Sequence, residues 1–382
     1  MRIPTFQYIL LKLASRCNLK CTYCYWFRDE TVYEKPAILS QEAEYAFLTK
    51  LEKHINSHKL RRFSVLFHGG EPLLFGKKRF YKLCNSLKGI EERTGASIDL
   101  SITTNGLLLD KEWISYILNF KIHVTISMDG PPDVHDQFRI DHMGKGSYSR
   151  VESNLILLRE NGIDPGILSV CNPIEEPDKI VKHLAETLNL KHFDILVPDA
   201  THEEHPVSIS AYYKRLFDIW YDRNFGYIEI RYIRNLVKGL LGGTSSSESI
   251  GYGPITTLTL LTDGSLEPLD VLRIAGNGHT KTNYSIMTHT FQDITKDPAW
   301  IEAFHASLNL SEKCQECEYK KACGGGFLPT RWSKENRYNN PSVYCEDIKE
   351  IFEHIWERIV PELQVKAKGI EIPIEEALLE IK

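Results

Sequence analysis

The sequence contains no run of 18 or more consecutive apolar residues, the length that a membrane-spanning helix requires, so a helical membrane protein is excluded. Its first extended apolar stretch, Tyr8 to Ala14, is broken by Lys12. The residues before it supply neither a cationic lead-in nor a small-residue cleavage site, so no secretory signal is read and a cytoplasmic location without a membrane partner is expected. Charge of one sign is also lacking. With 46 basic side chains against 51 acidic ones the formal charge is -5, which gives no field to draw in a polyanion, so no nucleic acid partner is expected. Internal repeats are absent, and low complexity is confined to Gly242 to Ser247, which excludes fibrous and disordered classes. What remains is a globular chain of 382 residues, long enough at about 100 to 200 residues per domain for two or three compact units.

Cysteine is where the sequence departs from the ordinary. There are nine, an odd number in a chain with no export signal, which argues against a disulfide framework. Cys17, Cys21 and Cys24 form one group, and Cys314, Cys317, Cys323 and Cys345 a second. Cys84, on a helical pattern, and Cys171, at a strand end, read as small buried hydrophobes. At this cysteine content a CxxxCxxC run arises by chance in roughly 0.005 of such chains, so metal ligation is the better reading. Three thiolates on one tight loop can hold three corners of a cubane iron-sulfur cluster and leave the fourth iron open to a ligand. Zinc, the competing reading, wants four ligands, and apart from His68 no further one is at hand. The second group offers four thiolates, enough to saturate a second cubane or to build a zinc ribbon.

Through the first half, short extended runs alternate with amphipathic helical patterns, which predicts βα units around a parallel sheet. The strands predicted are Gln7 to Ala14, Arg62 to Phe67, Ser97 to Thr103, His123 to Met128, Gly166 to Val170 and His192 to Val197. Helices are predicted at Gln41 to His54, Lys77 to Arg93, Lys111 to Phe120, Ser147 to Asn161 and Pro177 to Leu188. The fold class expected is α/β, a partial (β/α)6 TIM-like barrel followed by a small cysteine-rich iron-sulfur domain. The domains expected are 1–225, the barrel; 226–310, a bridge with a β-hairpin at Ile255 to Leu261 and Ser265 to Leu272; and 311–382, an auxiliary-cluster domain with a C-terminal helix. In such barrels chemistry sits at the carboxyl ends of strands. Cys17 to Cys24, His68-Gly69-Gly70-Glu71-Pro72, Thr104-Asn105-Gly106 and Ser127-Met128-Asp129-Gly130-Pro131 all fall there.

With Tyr23 just before the last cysteine of the loop and Gly69-Gly70-Glu71 one strand later, the chain resembles the radical S-adenosylmethionine enzymes. The resemblance implies a 4Fe-4S cluster on Cys17, Cys21 and Cys24 whose open iron chelates S-adenosyl-L-methionine. One electron then cleaves it to methionine and a 5'-deoxyadenosyl radical. It implies that Gly69, Gly70 and Glu71 receive the methionyl amine, and that Ser127, Asp129 and Arg139 resemble the ribose and carboxylate contacts. Asn105 and Gly106 read as a helix-entry turn, with a cofactor contact by Asn105 as the alternative.

The second cysteine group resembles the SPASM domain of peptide-modifying radical enzymes, with three departures, the first being that no cysteine precedes Gly264 at the expected distance. Leu269 stands where a cysteine is expected five residues after the turn glycine Gly264, and Phe327 where one is expected four residues after Cys323. One auxiliary 4Fe-4S cluster, on Cys314, Cys317, Cys323 and Cys345, is therefore expected. Segments 263–273 and 323–333 look like the maturases that build cyclophane cross-links in ribosomally made peptides. That resemblance implies Cβ hydrogen abstraction from a ribosomally synthesised precursor peptide, bond formation to an aromatic ring, and proton removal by Asp270. An electron donor such as flavodoxin or ferredoxin is the other partner implied. The alternatives are a sulfatase-maturing or thioether-forming enzyme on the same scaffold, and a zinc-stabilised binding protein. With the cluster loop at Cys17, no room is expected for an N-terminal leader-binding domain.

Overall fold

A computed structural model describes residues 5–223 and 227–367. The expected boundary at 225/226 and the tail 368–382 lie outside the described residues. The chain divides into two compact units, one of residues 1–169 with 255–305 and the other of 170–254 with 306–382. No helix among the described residues is long and apolar enough to cross a membrane.

The first unit is a parallel α/β sheet. Strands β1 (Tyr8–Ala14), β2 (Arg62–Gly69), β3 (Ser97–Thr104), β4 (His123–Ser127) and β5 (Gly166–Val170) pair in parallel in chain order. Helices α1 (Gln41–His58), α2 (Lys77–Thr94), α3 (Lys111–Asn119), α4 (Pro132–Phe138) and α5 (Tyr148–Glu160) lie between them in sequence. Their ends follow local chemistry. The Ser40 hydroxyl accepts from Ala43 N at the start of α1, and the Asp110 carboxylate accepts from Trp113 N at the start of α3, each satisfying a backbone donor that has no partner inside the helix. Strands β2 and β3 alternate buried and half-buried residues, whereas β1 is buried from Ile9 to Ala14. In the sheet β1 has β2 on one side and the short strand Thr259–Leu260 on the other.

The predicted hairpin forms but is brief, with Thr259–Leu260 antiparallel to Leu266–Glu267. Gly264 at φ +88° makes the turn, a conformation that suits glycine. Pro268, which has no N–H for the ladder, follows the second strand directly, and its carbonyl accepts from the Thr259 hydroxyl instead. The chain then enters a 3-10 turn, Asp270–Ala275, rather than continuing as strand to Leu272.

In the second unit the strand His192–Leu196 pairs in parallel with Glu229–Ile230. The predicted helix 177–188 begins as Pro177–Val181 and widens into a π-helix, Lys182–Thr187. Helix Cys345–Ala367 lies against Ser210–Asp222, where His354 and Arg358 both reach Asp218, at 2.8 and 2.6 Å.

Candidate active site

The carboxyl ends of β1 and β2 are locked together by backbone alone. Gly70 N and Glu71 N donate to Ala14 O and Arg16 O, both at 2.9 Å. A Cβ built on Gly69 would lie 2.2 Å from Ala14 O, and one on Gly70 2.4 Å from Arg16 O. The close approach these glycines permit is thus to the segment that leads into Cys17. Across the loop, Lys20 N donates to Ile140 O at 2.7 Å and Thr22 N to Phe138 O at 3.1 Å, so residues 138–140 clamp the cysteines from the far side.

The three thiols of the loop make no disulfide. Burial pushes all three up, Cys21 to about 11, and each of Cys17 and Cys21 is raised further by neighbouring thiols. Three half-buried thiols that resist ionisation together are a donor set that a cation would convert to thiolates. Among the described residues no three His, Cys, Asp or Glu side chains are gathered tightly enough to hold a single metal ion. Three thiols are one short of the four ligands of a structural zinc and match the three corners of a cubane whose fourth iron stays open. Asn105 supports it: its Nδ2 lies 3.6 Å from Cys17 Sγ and donates to Asn18 Oδ1 at 2.7 Å.

Glu71 is fully buried at the end of β2. Its Oε1 accepts from Leu73 N at 3.0 Å and from the Thr104 hydroxyl at 2.7 Å, and its Oε2 from Asn105 N at 2.8 Å. It therefore ties the ends of β2 and β3 together, and a carboxylate with about four acceptor sites keeps one for a ligand ammonium. Burial pushes it up to about 7 against those three hydrogen bonds. An acid raised in the folded state adds stability that is present below its unfolded value of 4.5 and is lost as pH rises through 7. The melting temperature of cluster-free protein is therefore expected to fall over that window relative to Glu71→Gln, which does not titrate. Parallel pH dependence in the two proteins would contradict the assignment.

Three residues singled out separately in the sequence meet at Asp129. Its carboxylate accepts from the Tyr23 hydroxyl at 2.5 Å and from Arg139 Nε and Nη2 at 2.8 and 3.1 Å. The Arg139 guanidinium lies 5.5 Å from the centroid of the Tyr23 ring. All three are largely buried, with Tyr23 and Arg139 bridging the cysteine loop to the clamp. Ser127, half-buried at the end of β4, makes no side-chain hydrogen bond among the described residues.

Asp270 lies at the start of its 3-10 turn, 1% exposed. Its Oδ2 pairs with the ammonium of Lys12 and accepts from the Tyr25 hydroxyl at 2.5 Å. Lys12 Nζ is also 3.1 Å from His68 Nδ1. The Lys12 charge and the hydrogen bonds from Lys12 and Tyr25 hold the Asp270 carboxyl well below the usual range, despite burial. Beside it Arg273, 1% exposed, bridges Asp29 at 3.1 Å and Glu267 at 2.8 Å and stacks 4.1 Å from the Trp26 ring. Lys12, Tyr25 and His68 were not singled out as site residues from sequence. The available signal was a lysine in the middle of an otherwise apolar strand.

In the second unit Cys314, Cys317, Cys323 and Cys345 line one recess together with Lys313, Lys320 and Lys349. Burial, and then the other three thiols, push Cys323 up to about 12. Gly324 seats the loop: at φ +64° it lies where a Cβ would be 2.3 Å from Gly251 O. The donor set is complete at four and fits a second cubane. Leu269, in place of a cysteine, is a buried hydrophobe of the first unit.

Residues 11–188 match the Radical SAM superfamily. A cysteine-type anaerobic sulfatase-maturating enzyme of Clostridium perfringens is 28% identical over 380 aligned positions, covering 94% of this chain and 98% of the relative. A serine-type anaerobic sulfatase-maturating enzyme of Bacteroides thetaiotaomicron is 34% identical over 168 positions, 43% of this chain and 39% of that one. A solved structure of native anSMEcpe with bound AdoMet and Cp18Cys peptide superposes with a TM-score of 0.81 at 27% identity, over 93% of this chain and 98% of that one.

Proposed function

The chain is a radical SAM enzyme with a SPASM-like maturase fold, and from that premise we propose that it oxidises a side chain of a peptide, in the manner of anaerobic sulfatase maturation. The observation that carries this reading is Asp270, a buried carboxylate hydrogen-bonded to Tyr25, the residue that follows Cys24. Such an oxidation takes a hydrogen atom from Cβ, a proton from the thiol or hydroxyl, and one electron; serine gives the aldehyde directly, and cysteine gives a thioaldehyde that water hydrolyses to the aldehyde with release of hydrogen sulfide. Cys17, Cys21 and Cys24 would hold one 4Fe-4S cluster and Cys314, Cys317, Cys323 and Cys345 a second; with S-adenosylmethionine they supply the hydrogen-abstracting radical and an acceptor for the electron. Glu71 offers its remaining acceptor site to the methionyl ammonium, Ser127 its unbonded hydroxyl to the ribose, and Arg139 its guanidinium to the carboxylate. Asp270 takes the proton as general base.

The similarity to sulfatase-maturating enzymes over nearly the whole chain supports this reading above the cyclophane cross-link that segments 263–273 and 323–333 suggest in the sequence. The cross-link stands second and rests on the likeness of those two segments to cyclophane-forming maturases. A peptide carrying one cysteine or serine, treated with reconstituted enzyme, is expected to give an aldehyde that traps with a hydrazide. A lighter product that resists trapping and does not separate its linked residues on fragmentation would instead establish the cross-link.

A further inference from the structure

Lys12 is the one charged residue of β1 and is wholly buried. An ammonium has three N–H donors, and each has an acceptor: Asp270 Oδ2, the Tyr25 hydroxyl at 3.3 Å and His68 Nδ1 at 3.1 Å. With Lys12 charged, the bonds close on a single arrangement of protons. His68 must offer a lone pair at Nδ1, which neutral imidazole does with its proton on Nε2. Burial, and then the Lys12 charge, push His68 down to about 3, in keeping with that neutral ring. Tyr25 accepts from Lys12 and donates to Asp270, so Asp270 is the anion.

Both bonds to the Asp270 side chain fall on Oδ2, and Oδ1 accepts none among the described residues. The groups that face this carboxylate are Lys12 from β1, His68 from β2, Tyr25 from the turn after the cysteine loop, and Arg273 from its own turn. Arg273 donates to Asp270 O rather than to the side chain, and its charge is matched by Asp29 and Glu267. Lys12 is therefore the only cation among them that bonds the side chain.

We propose that Lys12 is a positioning residue, which captures Oδ2 so that Asp270 stands as a carboxylate in one rotamer with Oδ1 left to accept the proton of the peptide. The inference rests on the oxidation proposed above. In the step concerned one proton moves from the side-chain thiol or hydroxyl to Oδ1, and no electron moves with it. Without the ammonium, the buried carboxylate loses its counter-charge and binds a proton at higher pH.

The test is Lys12→Met, close in length and uncharged, reconstituted with both clusters. The quantity read is oxidised peptide formed per 5'-deoxyadenosine released, followed across pH. That ratio is expected to fall about tenfold at pH 7, and the acid limb of its profile to move up by about one to three pH units. A ratio and an acid limb equal to those of the parent would overturn the proposal. Should the Met variant not fold, Tyr25→Phe decides the matter: it removes one of the two donors to Oδ2, so the limb is expected to move the same way by less, and an unmoved limb would overturn it. A failure of the functional reading is distinct, because the parent itself would then form no oxidised peptide.

Discussion

Replacing Cys17, Cys21 and Cys24 together by Ala is expected to remove about half of the iron and all cleavage of S-adenosylmethionine, from a parent that binds about eight iron atoms in two cubanes. The expectation follows from the division of the ligands, three on a loop of the first unit and four in a recess of the second. The two groups lie in different units, so the loss of the first leaves the four cysteines of the second in place to hold iron. Iron analysis and the release of 5'-deoxyadenosine check it. Full iron in the triple variant would leave the first site without its ligands.

Asp270→Asn has an effect of the same size by another route. The amide cannot accept the proton, so the oxidised peptide is expected to disappear. It also leaves the Lys12 ammonium buried without its anion, and breaking a buried pair on one side costs about 3–5 kcal/mol. The double variant Lys12→Met with Asp270→Leu separates these effects. Removing both partners is expected to recover much of the stability and none of the product, read by thermal melting and by mass spectrometry. If the single Asn variant oxidises peptide at the parental rate, Asp270 is not the base.

The architecture of the first unit was legible because its signals are local. Strand alternation and helix amphipathicity are set by residues two to four apart, and the observed strands β1 to β5 match their expected bounds within about two residues. The hairpin was found from Asp263-Gly264 but shortened, since Pro268 ends its second strand in a way that the run of apolar residues conceals. The two cysteine groups were legible because their spacing sets them apart from the rest of the chain.

What the sequence hid are contacts between distant segments. Lys12 read as a break in an apolar run, and its partner Asp270 lies 258 positions away. Arg273 and Asp29 are 244 positions apart, yet both are about 1% exposed and bonded. The glycines before Glu71 read as a place for a ligand, and the structure puts the backbone of Ala14 and Arg16 against them. Each depends on which strand lies beside which, and that is fixed only when the sheet is assembled.

The central claim is that the peptide side chain gives up its Cβ hydrogen and becomes a carbonyl. A peptide dideuterated at Cβ of its single cysteine or serine tests both halves in one reaction. The account expects one deuterium in 5'-deoxyadenosine for each aldehyde trapped as a hydrazone, with the second deuterium kept on the aldehyde carbon. Unlabelled 5'-deoxyadenosine formed alongside trapped aldehyde, or labelled 5'-deoxyadenosine with no aldehyde, would contradict it.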